Sequence, residues 1–160
     1  MSMAGTTRNV ALAAPGASMF ASLGPRAAQA FVVAVACAAF AVGFMATSGS
    51  AHAVAQAGPD LTRLLRGMAA LKALMALGAG AAVLWRLQTP VSGARFSLYA
   101  ASVAGMAAGP GLIWQMVHIV SGAALLHAGL ILCIVLLWRD PGVGQRLEQL
   151  VARKRAALRL

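Results

Sequence analysis

The chain has 160 residues, of which 61% are hydrophobic and only 10% charged, against about 25% charged in an ordinary soluble domain. With a mean hydropathy of +0.81, this composition points to an integral membrane protein, and the length allows one bundle and no second domain. The net charge of +10 does not imply nucleic acid: the cations flank apolar runs or fill the C-terminal tail, and no basic patch interleaved with aromatics offers bases a stacking surface.

Residues 1–26 are rich in Ala, Gly and Ser, carry Arg8 and Arg26, and read as an N-terminal cytoplasmic tail. Residues 27–46 hold no charge. Twenty residues rising about 1.5 Å each cover about 30 Å, the hydrocarbon thickness, which makes this the first span. A cleaved signal peptide is the competing reading of residues 1–53, because Ala51-His52-Ala53 resembles a small-residue cleavage motif. The long apolar stretch and the long segment before it favour a retained span. Residues 47–60 read as a loop whose Gly58-Pro59-Asp60 run turns the chain and lets Asp60 cap the next helix.

The second span is expected at about 67–87, preceded by Arg63 and Arg66, with Lys72 extending toward the nearer interface. Gln88-Thr89-Pro90 breaks it, since proline lacks an N–H and disfavours helix in its predecessor. Arg95 opens a third span at about 94–108, which a hairpin at Gly109-Pro110-Gly111 should end. A fourth span covers about 112–138, closed by Arg139-Asp140-Pro141. In the tail, 143–160, Leu147, Leu150, Val151 and Leu158 form one stripe at helical spacing. This favours a basic amphipathic helix over a disordered tail. It would lie on an anionic leaflet through Arg146, Arg153, Lys154, Arg155 and Arg159. The expected fold is therefore all-α: an integral membrane protein with four transmembrane helices in a bundle plus a basic amphipathic C-terminal helix.

Loop charges give the orientation. The N-terminal tail, the 86–95 loop and the C-terminal tail carry Arg and Lys, whereas Gly109–Gly111 carries none. Both termini are then cytoplasmic, in a membrane read as a bacterial inner membrane. Arg63 and Arg66 are the exception, falling on the expected outer side.

No dinucleotide-binding, P-loop, zinc-protease or nucleophile-elbow motif is present. Asp60 and Glu148 lie outside the spans and Asp140 at a boundary, so a carboxylate relay lacks its parts and no catalysis is expected. The histidines are the remaining polar groups of interest. His118 would lie about 9 Å along the fourth helix and His127 about 22 Å, near the midplane. Nine residues at about 100° each turn the two rings to opposite faces, so they cannot share a metal or a haem iron. His118, with His52, Met45 or Met106 as companion, could hold haem b or copper, which imidazole and thioether ligands suit. Met68, Met75 and Met116 belong to the same outer group, although Met116 would face away from His118. The plainer reading is that methionine fills gaps in cores.

His127 is expected to meet a neighbouring helix or subunit. Ala101, Gly105 and Gly109 recur every four residues and give the third helix a close-approach face. Trp85, Trp114 and Trp138 mark span ends as interfacial anchors, and Cys37 and Cys133 read as small buried thiols. The function expected from all this is a non-catalytic accessory or structural subunit of a larger membrane complex, with anionic lipid and other membrane subunits as partners. The alternative is a haem- or copper-binding membrane protein with its site on the outer side around His118.

Overall fold

Five helices follow one another: α1 Pro25–Met45, α2 Ser50–Arg86, α3 Gly93–Trp114, α4 Ile119–Trp138 and α5 Pro141–Ala157. The computed structural model describes residues 24–45 and 50–157, except the side chains of Arg153, Ala156 and Ala157. Most of the expected N-terminal tail, the last residue of the first expected span, Leu158 and Arg159 lie outside the described residues. The described residues hold no strand. The first four helices are long and apolar enough to cross a bilayer, which is the architecture of an integral membrane protein.

Each boundary has a local cause. Pro25 opens α1, where its missing N–H is no loss and its φ is already helical. α2 is longer than expected because residues 50–57 are also helical. The expected turn is a kink within it at Gly58 (φ 77°, ψ 170°). Such a φ costs a side-chain-bearing residue dearly, and Pro59 can then restart the helix. The Thr62 hydroxyl donates to the Gly58 carbonyl at 2.7 Å, occupying a group freed by the kink.

The third and fourth spans differ from expectation. Gly109-Pro110-Gly111 is not a hairpin but lies within α3, which continues to Trp114. Helix α4 begins only at Ile119, so the connection is Gln115–His118. α3 stops at Met116, whose φ of 61° is the left-handed conformation that commonly closes a helix. Its N–H donates to the Ile113 carbonyl at 3.0 Å.

Gly109 and Gly111 fit a turn by local rules, but their role in the structure is tertiary. A Cβ at Gly109 would lie 2.6 Å from the Gly122 carbonyl oxygen, and one at Gly122 would lie 2.7 Å from the Gly109 oxygen. Gly129 meets the Ser102 carbonyl in the same way, and Gly43 meets that of Ala108. Close backbone approach of this kind associates helices in lipid, where hydrophobic burial supplies little driving force. α3 is consequently the central helix. It packs most extensively on α4, then on α1, and less on α2, while α1 and α2 scarcely touch each other. Tyr99, Val103, Met106, Val32, Val83 and Cys133 form the centre of the core.

Candidate functional site

Of the expected ligand set, Met106 is buried, whereas His118, His52 and Met45 are exposed. His118 is the residue before α4, exposed and outside helical geometry (φ −124°, ψ 51°), rather than two turns inside a span. The helical argument that set His118 opposite His127 therefore no longer applies. His52 lies on the first segment of α2, its Nε2 2.9 Å from the Gln56 amide nitrogen. Met45 ends α1 and is exposed. Met106 is buried in the core, eight residues and so about 12 Å down α3 from Trp114. No three His, Cys, Asp or Glu side chains gather as a metal-holding group among the described residues.

Gly105 and Gly109 serve the contact between α3 and α4 within the chain: a Cβ at Gly105 would lie 3.3 Å from the Leu125 carbonyl oxygen. Ala101, one turn earlier, is exposed.

His127 stays at mid-depth, eight residues into a twenty-residue helix, and its side chain is exposed. Its Nδ1 lies 2.6 Å from the Ala123 carbonyl oxygen. A carbonyl can only accept, so Nδ1 carries the proton, and in the neutral ring Nε2 is left as an acceptor. Among the described residues nothing donates to it. Around His127 the outward face of α4 reads Val120, Ala124, His127, Ile131, Ile134 and Trp138, at spacings that alternate between four and three residues. The large members are 82%, 63%, 61% and 88% exposed (Val120, Ile131, Ile134, Trp138). This 3.5-residue periodicity is the one that lets a second helix lie along the first. The opposite face, Gly122, Leu126, Gly129 and Cys133, is the buried one.

A second polar centre, which sequence reasoning missed, ties three elements at the other end. Asp140 accepts from Arg86 Nε at 2.7 Å and Nη2 at 2.9 Å, a two-pronged pair. Both residues are 4% exposed. The Tyr99 hydroxyl donates to the same carboxylate at 3.1 Å. So does the Gly142 N–H at 3.0 Å, which makes Asp140 the cap of α5 ahead of Pro141. Arg86 Nη1 also donates to the Thr89 hydroxyl at 2.6 Å, and the exposed Arg95 lies 3.8 Å from Asp140. Burial alone would raise the Asp140 pKa, but the hydrogen bonds from Arg86 and Gly142, the Arg86 charge and the Tyr99 hydroxyl outweigh it and hold the carboxyl below its ordinary value. The signal available in sequence was Asp-Pro at the end of a span facing an arginine at the end of another. Taken locally, that pattern signals a helix break.

The basic helix α5 is present, with Leu147, Leu150 and Val151 exposed on one stripe. Arg146 does not point to lipid headgroups. Its Nη1 donates to the Trp85 carbonyl at 2.8 Å, and its guanidinium sits 5.4 Å over the Trp85 ring. Lys154 and Arg155 are exposed, whereas the Arg153 side chain and Arg159 lie outside the described residues. No protein family, curated protein or solved structure matches the chain.

Proposed function

We propose that this chain is a non-catalytic accessory subunit of a larger membrane complex, docked through the outward face of α4. The observation that carries this reading is His127. Its ring lies at mid-depth on an exposed helix face, with one nitrogen satisfied by its own helix and the other an acceptor with no donor among the described residues. A polar atom in hydrocarbon is costly, and ionisable residues at such depth usually face protein. The seam of Val120, Ala124, Ile131 and Ile134 gives a neighbouring helix a surface to lie on, and that helix would bring an O–H or N–H to His127. One interhelical hydrogen bond of this kind contributes about 0.6–2 kcal/mol. It therefore fixes register more than affinity.

The cations favour one orientation. Arg86, Arg95, Arg139 and α5 cluster at the Asp140 end, as does the start of α1, where Gln29 donates to the Leu84 carbonyl at 2.9 Å. Under the positive-inside rule this end faces the cytoplasm, in a bacterial inner membrane, and carries both terminal segments. There the exposed Lys154 and Arg155 meet anionic lipid.

Extraction of native membranes into lipid-preserving polymer discs tests the reading. The wild-type chain is expected to elute with another membrane protein at fixed stoichiometry. His127→Leu should loosen that assembly, and His127→Gln, whose amide oxygen still accepts, should retain it. Recovery of the wild type as a lone 16.2 kDa chain would refute it.

A further inference from the structure

Because α1 and α2 lean on α3 and scarcely meet each other beyond the Gln29–Leu84 hydrogen bond, a groove of about 670 Å³ opens between them. It runs from Leu84 to Ala73 on α2, with Val32–Phe40 on one side and Val103–Pro110 at its floor, and its lining is apolar throughout. Eleven residues of helix make it about 16 Å long, half of the roughly 30 Å hydrocarbon core. A slot of that length, lined by apolar side chains alone, matches the buried stretch of one lipid acyl tail.

A charge lies beyond one end of the groove. Arg66 lies seven residues before Ala73, on the same face of α2 and about 10 Å further along. Trp114 lies one turn beyond Pro110, and Phe44 one turn beyond Phe40. The Arg66 guanidinium sits 5.4 Å over the Trp114 ring, and the Phe40 and Phe44 rings stack at 6.0 Å. The Arg66 Nε is buried and has no hydrogen-bond partner among the described residues. An apolar slot one leaflet long, followed about 10 Å further along by an arginine that no carboxylate among the described residues pairs, has the polarity of a lipid with an anionic head.

We propose that the groove between α1, α2 and α3 holds the acyl tail of one anionic phospholipid, whose phosphate is bound by Arg66. This site lies away from the His127 seam and stands whether or not α4 has a partner. It also accounts for an arginine at the end of the bundle opposite the main basic cluster, where charge rules alone would not place it. The indole beneath the guanidinium orients its N–H groups toward the bound phosphate.

Native mass spectrometry of the detergent-purified full chain, after exchange with phosphatidylglycerol or phosphatidylcholine, tests the site. The wild type is expected to retain one phosphatidylglycerol and to prefer it at least tenfold over phosphatidylcholine. Arg66→Gln should reduce that preference to near unity. Ala76→Phe, which fills the groove, should abolish retention of either lipid while the thermal midpoint stays within a few degrees of wild type. If Ala76→Phe does not fold, Arg66→Gln alone still decides. Equal retention of the two lipids by wild type, or an unchanged preference in Arg66→Gln, would overturn the proposal, as would a photo-crosslinker at Ala76 that labels a protein instead of lipid.

Discussion

The central helix α3 has two differently built sides. Toward α4, glycines at 109, 122 and 129 bring the two backbones to contact, so that a single added Cβ would collide with a carbonyl, and a Cβ at Gly105 would lie 3.3 Å from one. On α2, Gly80, which lines the groove, would admit a Cβ with nothing within 4 Å, and the space between α1 and α2 stays open. The same residue type thus ties α3 closely to α4 in a spine, and to α1 at Gly43, and leaves room beside α2. At the Asp140 end the two halves are joined again, since Arg86 belongs to α2, Tyr99 to α3 and the carboxylate to the end of α4. A spine with a loosely held flank can fix a docking face on α4 while keeping a lipid-sized opening elsewhere.

Breaking the polar joint should have the largest effect. Asp140→Ala leaves Arg86 buried and unpaired, which costs about 3–5 kcal/mol, whereas the apolar pair Arg86→Met with Asp140→Leu should recover most of the loss. Unfolding midpoints in detergent separate the two outcomes. Similar losses for the single and double variants would show that the pair acts through something other than an uncompensated charge. The joint also titrates. Because Asp140 is held below its unfolded value of about 3.9, its contribution is fully present above that value and disappears as pH falls through the lower folded value. Thermal stability should therefore fall on acidification below about pH 4, and Asp140→Asn should flatten that part of the profile.

Overpacking the spine comes next. Gly122→Val drives a branched side chain at the Gly109 carbonyl and should cost at least about 1–3 kcal/mol. Tyr99→Phe removes one hydrogen bond to a carboxylate that keeps its others, a loss of about 1.5–3 kcal/mol. The smallest effect belongs to the open flank. Gly80→Ala meets no neighbour within 4 Å and improves helix propensity by up to about 1 kcal/mol, so the variant should match or slightly exceed wild type. If Gly80→Ala and Gly122→Val destabilised equally, the contrast between the flanks would fail.

The existence of the four apolar helices was legible in the sequence, because length and absence of charge are enough to set them. The ends of α3 and α4 were not. Gly109-Pro110-Gly111 satisfies every local rule for a turn, and only its contacts with Gly122, Leu126 and α1 show why the helix continues through it. The real break at Gln115–His118 contains no glycine or proline and depends on Met116 adopting a left-handed conformation. This shift moved His118 out of the membrane-spanning helix and dissolved its expected partnership with Met106. His127 kept its depth because it sits near the middle of α4 wherever the helix begins. The Asp140 joint escaped notice because its members are 41 and 54 residues apart, and no local pattern links them.

The measurement that bears most directly on the central claim is a photo-crosslinking scan along α4 in native membranes, placing the probe in turn at each position from Val120 to Ile134. The expected result is protein adducts of one mass that peak at Val120, Ala124, His127, Ile131 and Ile134 and fall away at Leu125 and Leu132, tracing the 3.5-residue seam. Uniform labelling by lipid alone, with no periodicity, would contradict the claim that this face is occupied by another protein.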